Sequence, residues 1–135
     1  MLRSAVLVLA LLAAGCVLPP ERQALQPLPD NAPPLTYTEA TARARAQATV
    51  AVESFYVDNW LALEEAGKAL EQTARVLTKA TEVPARHRDT LTVEAGDLGK
   101  EALRLQEVSR KKDVKLVNEA LQKINLKVRE LAVDR

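Results

Sequence analysis

Apolar residues recur at alternating spacings of three and four in three segments of the chain, which predicts three amphipathic helices. The first apolar stripe is Tyr56, Trp60, Leu63, Gly67, Leu70, Ala74 and Leu77. The second is Leu91, Ala95, Leu98, Ala102 and Leu105, and the third is Val114, Val117, Leu121, Ile124, Val128 and Leu131. Charged residues occupy the other faces. The pattern predicts an all-α antiparallel bundle of three long helices in residues 37–135.

An earlier stripe of smaller side chains comprises Thr41, Ala44, Ala48, Ala51 and Phe55. Its continuation would reach Asn59, whereas the next stripe runs through Tyr56 and Trp60, so the pattern slips by one residue. One interpretation is a single, bent helix over about residues 38–80. The alternative is a break capped by Asp58, which gives a fourth helix and a closed four-helix bundle. We favour the continuous helix, because this stretch contains no strong helix breaker.

Helix ends are visible at two later places. The polar run over residues 81–89 contains Pro84, which cannot continue a helix. Residues 109–112 form a short basic connection before Asp113, a residue type that caps helix N-termini. The second and third helices are therefore expected to begin near residues 90 and 114.

Six of the seven prolines lie in residues 17–36, at Pro19, Pro20, Pro27, Pro29, Pro33 and Pro34. Proline removes amide donors and disfavours helix in the preceding residue, so we expect no regular element here. The segment is predicted to be a disordered, polyproline-like tether that reaches up to about 60 Å. The alternative is a proline-rich docking motif for a partner.

The N-terminus has the layout of an export signal. Arg3 precedes an apolar run of ten residues, Ala5 to Ala14, which is too short to span a membrane as a helix. Gly15 and Cys16 follow, and Cys16 is the only cysteine of the chain. The segment resembles the signal peptides of bacterial lipoproteins. An ordinary secretory signal or an uncleaved anchor is the alternative.

The resemblance implies removal of residues 1–15 by cleavage between Gly15 and Cys16. It also implies a diacylglyceryl thioether on Cys16, usually with a further acyl chain on the new amino group, and two or three chains anchor a protein stably. Val17 stands where inner-membrane lipoproteins of enteric bacteria have aspartate. The implied address is the outer membrane, facing the periplasm, with the inner membrane or the cell surface as alternatives.

Charge and residue content argue against several functions. Without residues 1–15 the chain has 18 basic and 18 acidic residues, so we expect no nucleic acid as a partner. His87, the one histidine, stands between two arginines and is predicted to be exposed in a loop. No second histidine or spare cysteine completes a metal site, and no catalytic set is recognisable. We expect no metal, no cofactor and no catalysis.

Two groups of residues are candidates for interaction. Phe55, Tyr56 and Trp60 are three of the four aromatic residues of the chain. They are interpreted as a core layer where helices meet, or else as a binding surface for a partner helix or an apolar ligand. The second group is basic and comprises Arg110, Lys111, Lys112 and Lys115. It is interpreted as a solvated connection between helices, or else as a contact with anionic lipid headgroups or cell-wall polymers.

Three glycines interrupt the helical pattern, at Gly67, Gly96 and Gly99. Each costs about 1 kcal/mol relative to alanine within a helix. The interpretation is that they allow neighbouring helices to approach closely, with a ligand contact as the alternative.

The helical body is similar to the cytochrome-c-prime-like four-helix bundles. The last helix of that family ends in Cys-x-x-Cys-His, followed shortly by arginine. Here Val128, Leu131 and Ala132 stand at those three positions, followed by Arg135. Because both cysteines and the histidine are missing, the resemblance implies a compact bundle that binds no haem.

The sequence thus predicts a lipid-anchored, periplasm-facing protein that acts as a structural or interaction module. Its partners would be the membrane, through Cys16, and another envelope protein or a second copy of itself. The alternative is a carrier of a small apolar ligand, with a pocket near Tyr56, Trp60 and Gly67 inside a closed bundle. A carrier requires a closed bundle with a cavity, whereas a scaffold tolerates an exposed alanine-rich face.

Overall fold

The computed structural model describes residues 20–132, with side chains from residue 23 onward. Within this range lie five α-helices: α1 (Pro20–Leu25), α2 (Tyr37–Tyr56), α3 (Trp60–Leu77), α4 (Leu91–Arg110) and α5 (Val114–Glu130), with a short 3-10 helix at Ala85–His87. The predicted all-α bundle is confirmed. The predicted signal peptide and Cys16 lie outside the described residues, as does Arg135.

The four long helices form an antiparallel bundle. Short turns join α2 to α3 at residues 57–59 and α4 to α5 at residues 111–113, and we call this end of the bundle the turn end. The longer connection over residues 78–90 lies at the opposite end, which we call the loop end. Because α3 packs on both α2 and α4, and α5 packs on both α4 and α2, the ring of four helices is closed.

Leucine side chains fill most of the core, and α2 contributes alanines. The fully buried large residues include Leu63, Leu70, Leu77, Leu98, Leu105, Ile124 and Leu131. On the α2 side the buried residues include Ala40, Ala44, Ala48 and Ala51, whose small side chains let the neighbouring helices lie close to its backbone. The predicted stripes are therefore buried, except at the turn end, where Tyr56 and Val114 are exposed.

The predicted continuous helix over residues 38–80 is wrong. The chain reverses at Asp58, whose φ of 55° lies in the left-handed region, and α3 begins two residues later. The cap of α3 is Asn59, not Asp58: its side chain accepts a hydrogen bond from the amide of Ala62 at 3.1 Å. The slip of the apolar stripe marks this break, so the closed four-helix bundle is the architecture.

Both turns at the turn end have the same construction. The Asp58 amide donates to Phe55 O at 3.2 Å and the Asn59 amide to Ser54 O at 2.9 Å, the hydrogen bonds of a Schellman motif. The Lys112 amide likewise donates to Ser109 O at 3.0 Å, and the Asp113 amide to Val108 O at 3.1 Å. Asp113 then caps α5, as predicted, by accepting from the Leu116 amide at 3.0 Å.

These turns place Asp58 and Lys112 in left-handed conformations, with φ of 55° and 53°. Because glycine adopts this conformation without steric cost, we expect Asp58→Gly and Lys112→Gly each to raise the free energy of unfolding by about 0.5–1 kcal/mol. Urea denaturation followed by circular dichroism measures the change. As a control, Lys115→Gly in the right-handed part of α5 should lower it by about 1 kcal/mol. An equal decrease in the free energy of unfolding for all three glycine variants would contradict the prediction.

The structure also differs from the expectation of an unstructured proline-rich tether. Residues 20–25 are helical, and Ala24 is buried against α2, where its carbonyl accepts a hydrogen bond from Gln47 Nε2 at 2.7 Å. Leu28 exchanges two backbone hydrogen bonds with the side-chain amide of Gln72 in α3, at 3.1 and 3.2 Å. Two buried or half-buried glutamines thus supply the polar partners that hold this segment on the bundle.

Candidate interaction surface

The predicted aromatic group lies at the turn end, where α2 stops and α3 begins. The rings of Phe55 and Trp60 meet edge to face, with centroids 6.2 Å apart and planes at 78°. Both rings are half-buried and pack against the core. Tyr56 lies 6.1 Å from Phe55, and 80% of its surface is exposed. The core-layer interpretation therefore holds for the packed sides of Phe55 and Trp60 and is wrong for Tyr56.

Exposed apolar side chains concentrate at this end of the molecule. Among residues 23–132, seven large apolar residues are more than half exposed, and four of them lie in the two turns or in the helix ends beside them. These four are Tyr56, Val57, Leu61 and Val114, and we call them the apolar tip. The other three, Val93, Leu103 and Leu126, are spread along α4 and α5. Clustered exposed apolar residues are typical of interaction sites, whereas scattered ones are common on any surface.

Several basic residues also lie at the turn end. Arg110 Nε donates to Glu64 Oε1 at 2.8 Å, which joins the end of α4 to the first turns of α3. The hydrogen bond from Arg110 holds the pKa of Glu64 below its usual range. Lys111 pairs with Glu107 at 2.8 Å, which lowers the pKa of Glu107 and raises that of Lys111. Residues 56–61 and 110–115, which comprise the two turns and the helix ends beside them, contain four basic and two acidic side chains.

Gly67 lies in the interface between α3 and α4, not beside the aromatic residues. A Cβ atom at this position would stand 2.9 Å from Gln106 Cγ and 3.2 Å from the carbonyl oxygen of Ala102. The interpretation of close helix approach is correct here. It is wrong for Gly96, which has nothing within 4 Å of such an atom. Because Gln106 covers Gly67, the structure does not bring Gly67, Tyr56 and Trp60 together around one cavity.

The prediction that His87 is exposed is wrong. Only 4% of its surface is accessible, because the 3-10 turn directs it inward while Arg86 and Arg88 remain exposed. Its ring stacks on Tyr37 at 5.3 Å, and Nδ1 lies 3.0 Å from Glu94 Oε2. Because an ionised carboxylate only accepts hydrogen bonds, this contact requires the proton on Nδ1. The other ring nitrogen, Nε2, is buried without a hydrogen-bond partner.

Tyr37, which the sequence analysis did not single out, completes this buried group at the loop end. Its side chain is fully buried, and its hydroxyl donates to the carbonyl oxygen of Leu131 at 2.5 Å. Burial raises the pKa of Tyr37 to about 12, with a smaller contribution from the nearby Glu94 carboxylate. The tyrosine joins the first residue of α2 to the end of α5, 94 positions away, so no local pattern reveals the pairing.

Grooves on the bundle lie away from the aromatic group. One, of about 630 Å³, runs between α2 and α5 and is lined mostly by small and polar side chains such as Thr41, Ala48 and Asn125. Two others, of about 560 and 520 Å³, lie between the proline-rich segment and α3. None of these three grooves includes Phe55, Tyr56, Trp60 or Gly67.

Over the range that the structure describes, no three His, Cys, Asp or Glu side chains are grouped in a way that would hold a metal ion. Within the same range, no helix combines the length and the apolar character needed to cross a bilayer.

Comparisons with protein families, with curated proteins and with solved structures find no match for this chain.

Proposed function

We propose that this chain is a lipid-anchored protein of the bacterial envelope whose helical bundle acts by binding, without catalysis. The observation that carries the binding role is the apolar tip, where four exposed apolar side chains gather at one end of the bundle. The lipid anchor is supported by the signal-like sequence that ends at Gly15 and Cys16. The proposed location is the outer membrane, on the side that faces the periplasm.

The carrier alternative has less support. A carrier requires a closed bundle, and the four helices meet that condition. It also requires a cavity, but Gln106 lies over Gly67 and leucines fill the centre of the bundle. Val128 and Leu131 stand where the cytochrome-c-prime-like bundles have their haem-attachment cysteines, and both are buried core residues. This arrangement favours a bundle without haem whose partners bind at its surface.

Intact mass spectrometry of the full chain, expressed in a bacterium and extracted from its membranes, tests the anchor. We expect a mature protein that begins at Cys16 and carries a diacylglyceryl group, with or without a third acyl chain. The variant Cys16→Ser should lose the lipid mass and remain uncleaved before residue 16. The conservative change Val17→Ala, next to the site, should leave the modification intact. Recovery of the wild-type protein with an unmodified cysteine would overturn the proposal.

A further inference from the structure

We propose that the turn end of the bundle docks onto the surface of an anionic bilayer, the same membrane that holds the lipid on Cys16. The inference rests on the proposed lipid anchor and adds a second contact between the protein and the membrane. Three features of the chain support this orientation: the direction in which α1 runs, the short chain between Cys16 and α1, and the chemistry of the turn end.

The first feature is the direction of α1. Gln47 of α2 donates a hydrogen bond to the carbonyl of Ala24, and Arg43 donates to the carbonyl of Gln26. Later residues of the α1 segment thus pair with earlier residues of α2, so the two helices run antiparallel. Because α2 ends at the turn end, the start of α1 at Pro20 points toward that same end.

The second feature is the length of chain before α1. Gln47 lies nine residues before the end of α2, about 14 Å along the helix, and α1 rises about 6 Å from Ala24 to Pro20. About 8 Å therefore separates Pro20 from the plane of the turn end. The four residues from Cys16 to Pro20 span at most about 14 Å. The connecting chain is therefore long enough for Cys16 to reach the plane of the turn end.

The same chain is too short to place Cys16 at the opposite end. Tyr37 begins α2 ten residues before Gln47, about 15 Å along the helix, and so lies about 21 Å from Pro20. This distance exceeds the reach of the four connecting residues. A lipid on Cys16 thus holds the turn end toward the membrane and leaves the loop end, with His87, facing away.

The third feature is the chemistry of the surface that faces the membrane. Tyrosine and tryptophan are enriched where proteins meet lipid headgroups, since one part of each ring is apolar and the other part polar. Tyr56 is 80% exposed, and the half-buried Trp60 lies beside the exposed Leu61. Arg110 and Lys111 are neutralised by their ion pairs with Glu64 and Glu107, whereas Lys112 and Lys115 are exposed and take no part in those pairs. Their positive charges favour anionic headgroups. The lipidated chain therefore has an aromatic, apolar and basic surface at the end nearest its anchor.

The test uses the full lipidated protein in vesicles of phosphatidylethanolamine with about one quarter phosphatidylglycerol, a composition chosen for its negative surface. Trp60 is the only tryptophan of the chain, so its fluorescence reports on this surface alone. We expect brominated lipids to quench Trp60 roughly twofold, since the indole ring would lie at the interface. We also expect hydrogen exchange to slow in the amides of residues 56–61 and 111–115, and not in residues 81–88.

Paired variants separate docking from the anchor. Tyr56→Ser with Leu61→Ser should abolish both signals, while Val93→Ser with Leu126→Ser, which change side chains elsewhere that are also more than half exposed, should leave them intact. All four changes are on the surface, so helicity should be unaffected. If the protein were lipidated but its Trp60 were not quenched, docking would be overturned, and the proposed lipid anchor would be unaffected. Absence of the lipid in the mass spectrum would overturn both. If Trp60 were shielded from quencher in detergent and the particle had twice the mass of one chain, a second copy of the chain would cover this surface. That result would overturn membrane docking.

Discussion

Replacing Gly67 with leucine is expected to lower the free energy of unfolding by about 3 kcal/mol, the upper part of the range for overpacked cores. Even a Cβ atom would stand 3.2 Å from the carbonyl oxygen of Ala102. The Gln106 side chain is flexible enough to move, but the α4 backbone is not. A leucine would therefore force α3 and α4 apart and expose the leucines that fill the core on both sides.

The same substitution at Gly96 provides a matched control. Gly96 lies in the middle of a helical pattern with open space beside it. Gly96→Leu should therefore raise the free energy of unfolding by about 0.5–1 kcal/mol through helix propensity alone. Urea denaturation of both variants, followed by circular dichroism, measures the difference. If Gly67→Leu were as stable as Gly96→Leu, the helices would not be in close contact at Gly67.

Raising the pH from about 10 to above 12 is expected to lower the free energy of unfolding by up to about 2–3 kcal/mol through the ionisation of Tyr37 alone. The pKa of Tyr37 is raised to about 12 from an ordinary value of 10.0, because the phenolate would be buried. The folded chain thus holds this proton more tightly than the unfolded chain. The stabilisation that protonated Tyr37 gives to the folded chain is therefore fully present below pH 10, and it is lost as the pH rises through 12.

Comparison with Tyr37→Phe isolates this effect from the other groups that titrate at alkaline pH. At neutral pH the variant should be less stable by about 1–2 kcal/mol, because the buried carbonyl of Leu131 loses its donor. The difference should shrink and then reverse as the pH rises. Tyr56→Phe, a change at an exposed hydroxyl, should leave the alkaline transition unchanged. A constant difference between wild type and Tyr37→Phe from pH 7 to pH 12 would contradict the prediction.

The helical segments were predictable because their information is local. An apolar residue every three or four positions must face a neighbour, and the stripe residues between Leu63 and Leu77 and between Leu91 and Leu105 are buried as the pattern indicates. Asp113 was also predictable as a cap, since its carboxylate satisfies amides only three residues away. The interruption near Asp58 was visible as a slip of the stripe. It was misjudged because neither glycine nor proline marks the turn.

The buried group at the loop end was not predictable. Arg86, His87 and Arg88 read as an exposed polar run, and only the 3-10 turn decides which of the three faces inward. The partners of His87 come from two other helices, Tyr37 from α2 and Glu94 from α4. The stacking of His87 on Tyr37 joins two distant parts of the chain, so it leaves no local periodic signal.

By itself, the sequence determined the all-α class, most of the buried apolar stripes, the cap of α5 and the expectation of a lipid anchor on Cys16, because each depends on residues close together in the chain. Only the tertiary structure decided which residues meet across helices. It places Gln47 and Gln72 where they bind the proline-rich segment, and it leaves Tyr56 exposed at the turn end, the end nearest the start of α1. These outcomes depend on packing between distant segments, and packing arises only when the whole bundle is assembled.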